Sequence, residues 1–195
     1  MNKGFTLVEL LVITAIIALF TALALPNYRG SGLQLSLQRS ANKLIQDLRV
    51  AEEMALSSQK FNNATPQGYG IYFDRNQSRQ YILFADLNGD RLYSDTSEKV
   101  EQIYLESGIV INTLTPGTAD ALTVAFVPPD PQTYIDNNSA LTLAKILIVN
   151  EQNLARTKTV CVSKAGLISL NCEGEELASA PPPPPPPPPP APPTQ

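Results

Sequence analysis

The hydrophobic and polar positions divide this chain of 195 residues into unlike parts. The first part is an almost unbroken apolar run from 5 to 25, whose polar members are Thr6, Glu9, Thr14 and Thr21. A helix of that length spans about 30 Å, which is the thickness of the hydrocarbon core of a bilayer. The pattern therefore predicts a transmembrane helix at the start of the chain.

The next part has the pattern of an amphipathic helix. Apolar residues recur at alternating intervals of four and three, which aligns them as one stripe: Leu37, Ala41, Leu44, Leu48, Ala51 and Ala55. A single helix cannot bury such a stripe, so it needs a sheet or a partner helix. Pro26 removes a backbone donor and disfavours the helical conformation at Leu25, which predicts a hinge or weak helix between Pro26 and Gly32.

The remainder of the body reads as strands. Its segments are rich in β-branched and aromatic residues and are separated by turn residues. They are YGIYF (69–73), QYILFA (80–85), GIVINTL (108–114), LTVAFV (122–127), LTLAKILIV (141–149), TKTVCVS (157–163) and GLISL (166–170). We expect an α+β fold, in which a long N-terminal helix packs on an antiparallel β-sheet.

Composition limits the chemistry that this body can perform. The chain has no histidine, which removes the commonest general base and the usual Ser-His and Cys-His arrangements, so we do not expect an enzyme. Cys161 and Cys172 lie close together near the end of the body. Two nearby cysteines in an exported chain favour a disulfide over a metal site, with free buried thiols as the alternative.

The C-terminal segment is almost pure proline from 181 to 193. Such a sequence forms neither helix nor sheet, and its ordered form is a polyproline II rod of about 3.1 Å per residue. It is a ligand for an aromatic groove, a spacer, or a disordered tail of no fixed role. The sequence leaves these three hypotheses open.

The stretch KGFTLVEL, residues 3–10, decides how the apolar run is interpreted. A secretory signal would have a shorter apolar stretch than this one. A plain membrane anchor fits the length but leaves Glu9 unexplained, since a charge at the centre of a lone membrane helix costs roughly 2.5–3.5 kcal/mol on insertion scales. The combination of glycine, phenylalanine, glutamate and a long apolar run resembles the leader and first helical turns of type IV pilins and pseudopilins.

This resemblance implies a processing pathway. A prepilin peptidase would cleave after Gly4 and methylate the new amino terminus at Phe5, while the apolar helix stays in the mature protein. Glu9 of one subunit would then neutralise the Phe5 amine of its neighbour in a filament, because both charges are costly alone and tolerable as a pair. Lys3 would keep the leader on the cytoplasmic side by the positive-inside rule.

The body adds a narrower resemblance. DLRVAEEMALSSQ (47–59) runs into GYGIYFD (68–74), and TVCVSKAGLISL (159–170) follows near the end. This looks like the GspH/FimT-like minor pilins and pseudopilins. It implies a structural, minor subunit that is a single-pass precursor in the bacterial cytoplasmic membrane and later part of an extracellular or periplasmic filament. The implied partners are the prepilin peptidase, the membrane and other pilin subunits, in a machine for adhesion, twitching, DNA uptake or protein secretion.

The predicted organisation follows from these segments. It comprises a leader (1–4), a transmembrane and assembly helix (5–25), a hinge and amphipathic helix (26–59), a β domain (60–176) and a proline-rich tail (177–195). The competing interpretation is a membrane-anchored binding module, in which the helix is only an anchor and the sheet or tail recruits a partner.

Two further motifs allow site hypotheses. Asp86, Asn88 and Asp90 alternate as calcium ligands do in the first half of an EF-hand loop, although the twelfth position is Ser97. Asn88-Gly89 between two predicted strands is also a strong hairpin signal, so a plain turn is the alternative. Apart from calcium at these three residues, we expect no cofactor.

A DNA-binding function would need a basic patch that neutralises phosphates. Some FimT-like proteins are thought to bind DNA, and Arg156, Lys158 and Lys164 form a modest cluster on the last strands. The chain carries 18 acidic against 14 basic residues, and three glutamates follow the cluster at 173–176. This balance argues against nucleic acid as a partner. The alternative interpretation is that the cluster is a solvated face of the sheet with no binding function.

Overall fold

A computed structural model describes residue 4 and residues 6–116, 120–129 and 132–172, without the side chains of 23–31. The hypotheses on Phe5, on Lys3 and on the proline-rich tail lie outside the described residues.

The described chain forms one long helix followed by short strands. The bounds are α1 Leu7–Leu56, β1 Gly68–Asp74, β2 Gln80–Asp86, β3 Lys99–Tyr104, β4 Ile109–Thr115, β5 Ala121–Val127, β6 Gln132–Ile135, β7 Leu143–Asn150, β8 Asn153–Ser163 and β9 Ile168–Leu170, with a 3₁₀ turn at Arg75–Gln77. All the predicted strands are present, and the α+β class is confirmed.

The strands form two antiparallel sheets where one was expected. The five-stranded sheet has the order β3-β2-β1-β5-β6, and the four-stranded sheet has the order β4-β7-β8-β9. Strands β3 and β6 were not predicted. The charged residues of KVEQIY (99–104) hide its strand pattern, and QTYI (132–135) is too short for periodicity to be visible. Both strands lie at sheet edges, where polar side chains are tolerated because one side is open.

The second half of α1 packs on both sheets through the predicted stripe. Every member of the stripe is buried, with exposures of 0–2%: Leu37, Ala41, Leu44, Leu48, Ala51 and Ala55. Their partners in the core include Ile71 and Phe73 of β1 and Val160 and Val162 of β8. Burial of a Leu side chain contributes about 1.5–3 kcal/mol to the stability of the fold. Packing of this stripe is therefore the main interaction that holds the helix on the sheets.

Polar contacts fix the position of the helix on the sheets. The Tyr81 hydroxyl of β2 donates to Asp47 Oδ2 of α1 at 2.5 Å, and the backbone N–H of Glu106 donates to Ser40 Oγ at 3.2 Å. Tyr81 is buried, and its burial together with the Asp47 contact raises the pKa of its hydroxyl well above the usual value. The hydroxyl therefore remains a donor at all ordinary pH values.

The backbone is helical from Leu7 to Leu56, so it shows no melted segment between Pro26 and Gly32, where a hinge or weak helix was expected. A weak helix at this point stays a prediction. A proline inside a helix removes one hydrogen bond and clashes with the carbonyl four residues earlier, a local cost of about 3 kcal/mol that long helical segments on both sides can bear.

The two cysteines form the expected disulfide, Cys161–Cys172, with their Cα atoms 6.2 Å apart. Cys161 lies in β8, and Cys172 follows β9. The disulfide therefore closes the last hairpin, which turns at Gly166 with φ +82°.

Candidate functional site

The first half of α1, whose side chains are described for residues 7–22, is the part of the helix that the protein leaves uncovered. Its large apolar side chains are exposed by 44–81%, among them Leu7, Leu11, Ile16 and Phe20. They lie on every side of the helix, unlike the single stripe of the second half. A helix that is apolar all round is stable where something else surrounds it.

Glu9 lies in the first turn of this exposed segment. Thr6 is the N-cap residue of α1, and its side-chain oxygen accepts a hydrogen bond from the Glu9 backbone N–H at 3.3 Å. Thr6 and Glu9 thus have the T-x-x-E spacing of a capping box, a signal that was readable in the sequence but overlooked. A carboxylate at this position also interacts favourably with the helix dipole.

The other polar side chains of the segment are satisfied by their own helix. The Thr14 hydroxyl donates to the Leu11 carbonyl at 3.0 Å, and the Thr21 hydroxyl donates to the Ile17 carbonyl at 2.7 Å. Within the described residues 6–22, the Glu9 carboxylate is the polar side-chain group without a hydrogen bond or ion pair. It is therefore the group of this segment that needs a partner from outside.

The predicted cleavage site lies directly before this helix. Gly4 is exposed, and no atom lies within 4 Å of the position that a Cβ would occupy there. Among the described residues, none of the helices has a stretch long and apolar enough to qualify as a membrane span.

The predicted calcium ligands lie at the end of β2 and in the loop after it, and their oxygens are used by the loop itself. Asp86 is buried and accepts the N–H groups of Gly89 at 2.6 Å and Arg91 at 3.0 Å, one on each carboxylate oxygen. Asn88 Oδ1 accepts from the Asp90 N–H at 2.8 Å, and Asp90 Oδ1 accepts from the Leu92 N–H at 2.8 Å. The arrangement is that of a turn closed by its own acidic side chains.

A second buried carboxylate, Glu98, closes this loop and was not singled out from the sequence. It accepts the Ser94 N–H at 2.9 Å and the Leu87 N–H at 3.3 Å.

Burial acts to raise the pKa of Asp90, but hydrogen bonds from Ser94 and Leu92 outweigh the burial, so the pKa of Asp90 lies below its usual value. The described residues contain no group of three or more acidic, Cys or His side chains arranged to hold a metal ion.

The three basic residues considered as a nucleic-acid patch do not share contact partners. Arg156 Nη1 donates to Gln34 Oε1 of α1 at 3.4 Å, and Lys164 Nζ donates to the Ser139 carbonyl at 2.7 Å. Lys158 is half-buried on β8. Two of these three cations therefore hold the protein's own loops and helix together.

Comparisons with known proteins found one family model and two similar curated proteins. Residues 1–25 match the family of the prokaryotic N-terminal methylation motif. Two fimbrial proteins of Pseudomonas aeruginosa are each 34% identical over 68 residues, which is 34% of this chain and 44% of theirs. The chain thus spans less than half the length of the curated relatives it matches.

A solved structure is also similar, the type IV minor pilin FimU of Pseudomonas aeruginosa. The similarity covers 69% of this chain and 87% of FimU, with a TM-score of 0.46 and 14% sequence identity.

Proposed function

We propose that this chain belongs to the type IV pilins and is a minor structural subunit of a type IV pilus-like filament, which its methylation motif and its similarity to fimbrial proteins support. Pilins are structural proteins and not enzymes. The observation that carries the proposal is the first half of α1, whose apolar side chains and unpaired Glu9 find no cover within the described chain.

The membrane surrounds the apolar side chains of this segment first, and the filament surrounds them after processing. The precursor is held in the cytoplasmic membrane by its apolar segment, with Lys3 on the cytoplasmic side and the β domain outside. Prepilin peptidase then cleaves between Gly4 and Phe5 and methylates the new amino terminus. In the filament, an extracellular pilus or a periplasmic pseudopilus, the same apolar surface packs against the helices of neighbouring subunits.

Glu9 selects the filament over the membrane. In lipid its charge has no partner, at a cost of several kcal/mol, whereas in a filament the Phe5 amine of a neighbouring subunit provides one. Removing one partner of a buried ion pair typically costs about 3–5 kcal/mol, because it leaves the other charge uncompensated. This preference for a staggered neighbour drives incorporation and makes no demand on the β domain.

The test is Glu9→Gln, scored in sheared surface filaments and in membranes. Gln at this position leaves the N-cap unchanged, because Thr6 accepts its hydrogen bond from the backbone N–H of residue 9 and not from the side chain. The substitution therefore removes the charge and leaves the helix start intact. We expect membrane levels like those of the unchanged chain and at least a tenfold loss from filaments.

The matched control is Thr14→Val in the same apolar segment. The Thr14 hydroxyl bonds to its own helix, so its loss should leave incorporation unchanged. Normal incorporation of Glu9→Gln would contradict the proposal and favour the membrane-anchored binding module, in which Glu9 has no assembly role.

A further inference from the structure

A second hydrophobic cluster lies on the outer face of the five-stranded sheet, away from α1. Phe84 and Ala125 form its buried floor. Three half-buried tyrosines surround this floor, Tyr72 on β1, Tyr93 in the loop after β2, and Tyr134 on β6. We refer to these three tyrosines as the aromatic face.

The loop after β2 builds this face by folding over the sheet. The Tyr93 ring lies 5.1 Å from the Tyr72 ring and 6.0 Å from the Phe84 ring, measured between centroids. The Arg91 guanidinium carbon lies 3.9 Å from the centroid of the Tyr134 ring. The result is a row of rings across the sheet with a stacked cation at one end.

The tyrosines offer donors as well as ring faces. Tyr134 donates its hydroxyl to Gln132 at 2.7 Å, whereas the hydroxyls of Tyr72 and Tyr93 have no hydrogen bond within the described chain. Burial, with contributions from nearby carboxylates, raises the pKa of both. They are therefore protonated donors at neutral pH.

We propose that the aromatic face is the docking site for the proline-rich segment 181–193 of the same molecule. Polyproline has carbonyl acceptors but no N–H donors, and its rings present flat apolar surfaces. Tyrosine rings with free hydroxyls are the complement of both features, and proline-rich segments dock on aromatic-lined grooves by this chemistry. Because the proline segment is uncharged, the acidic loop around the face does not repel it.

The chain is long enough to reach the face. A Cβ on Gly166, at the turn of the last hairpin, would lie 3.6 Å from Thr133 Oγ1, next to Tyr134. From Gly166 to Cys172 the chain covers at most about 20 Å, and the linker 173–180 covers up to about 28 Å more. Strand β6 is the edge of its sheet, so none of the described strands blocks the path around it to the outer face.

Linkage within one molecule makes weak docking sufficient. A short linker holds its ligand at an effective concentration of about a millimolar, so contacts too weak for two separate molecules still occupy the site. The docked segment would add order to the loop after β2 and to β6. This inference concerns the β domain and is independent of filament assembly.

Hydrogen exchange measured by mass spectrometry tests the docking, with the full chain in detergent micelles compared with a chain ending at Ala180. Proline has no amide hydrogen, so the signal comes only from the site. We expect amides of 91–95 and 132–135 to exchange several-fold more slowly in the full chain, with β7 unchanged. Equal rates in the two chains would overturn the proposal.

Two variants of the full chain separate docking from a general effect of the tail. Tyr72→Phe with Tyr93→Phe keeps the rings and removes the free donors, and should lose most of the protection. Tyr104→Phe changes a tyrosine on β3 that is 62% exposed and outside the face, and should lose none. Full protection in the double variant would contradict the donor chemistry and overturn the proposal.

Two further measurements identify the occupant. Replacing prolines 181–190 by Gly-Ser repeats of equal length should abolish protection; retained protection would show that polyproline is not the ligand. Tenfold dilution should leave the protection unchanged, because the segment and the face belong to one molecule. Loss of protection on dilution would assign the site to a second copy and overturn the intramolecular proposal.

Discussion

The two halves of helix α1 have opposite relations to the rest of the protein. In the second half, Leu44 and Leu48 are fully buried against two sheets. In the first half, Leu7 and Leu11 are 81% and 61% exposed, although the segment is more apolar. Hydrophobicity alone therefore does not decide what is buried in this chain.

The difference lies in how the apolar residues are arranged. A stripe on one face can be covered by the sheets of the same chain, and polar residues opposite remain in water. A segment that is apolar on every side needs an environment that surrounds it, which no single β domain provides. The second half of α1 therefore stabilises this protein, and the first half is left uncovered by the described chain.

The largest expected effect tests this division with a leucine from each half. Leu48→Ala leaves a cavity in the core and should lower the free energy of unfolding by about 2–5 kcal/mol. Leu11→Ala should leave that free energy unchanged, because its side chain packs on nothing in the β domain. Urea unfolding of the full chain in detergent, followed by tyrosine fluorescence, measures both, and equal losses would refute the division.

Pro26→Ala sharpens the comparison at the junction between the halves. The new N–H can bond to the carbonyl of Ala22, which proline cannot do, and this should stabilise the helix locally by up to about 3 kcal/mol. We expect slower hydrogen exchange across 23–32 and no change in the unfolding of the β domain. Faster or unchanged exchange across the junction would show that Pro26 does not weaken this helix.

Tyr81→Phe tests the polar contact between the second half and the sheet. It removes the donor to Asp47 and should cost about 1–3 kcal/mol, because the acceptor is a carboxylate. The control in the first half is Thr21→Val, whose hydroxyl bonds only to its own helix. Thermal unfolding compares the two, and a larger loss for Thr21→Val would contradict this account.

The smallest expected effect applies the same criterion to the loop after β2. Groups with partners inside the chain need none outside, and each Asp86 oxygen already accepts a backbone N–H. We therefore expect the melting temperature to be the same with millimolar calcium and with a chelator. A calcium-dependent rise that Asp86→Asn abolishes would instead support the metal hypothesis.

Periodicity predicted the parts of the fold whose neighbours lie within the chain. The stripe from Leu37 to Ala55 was visible because a buried helical face repeats every three to four residues, and the longer strands were visible from their β-branched content. The edge strand 99–104 and the division into two sheets were not, because edge strands carry polar residues and sheet pairing depends on contacts distant in sequence.

The site was predictable to a different degree at each residue. Glu9 could be identified because a charge in an apolar run has a known cost, and the hydrogen bond from its backbone N–H to the N-cap Thr6 follows from their spacing. Glu98 could not be identified as the second carboxylate of its loop, since its burial depends on how the loop folds over the sheet. The aromatic face was equally hidden, because its tyrosines come from three separate elements.

The central claim is that the first half of α1 is covered by other subunits after processing at Gly4. The most direct test is to recover sheared surface filaments and determine the intact mass and amino terminus of this chain in them. The account predicts a chain that begins at N-methylated Phe5 and is present in the filaments. A chain absent from filaments and still beginning at Met1, in cells whose prepilin peptidase processes another substrate, would contradict it.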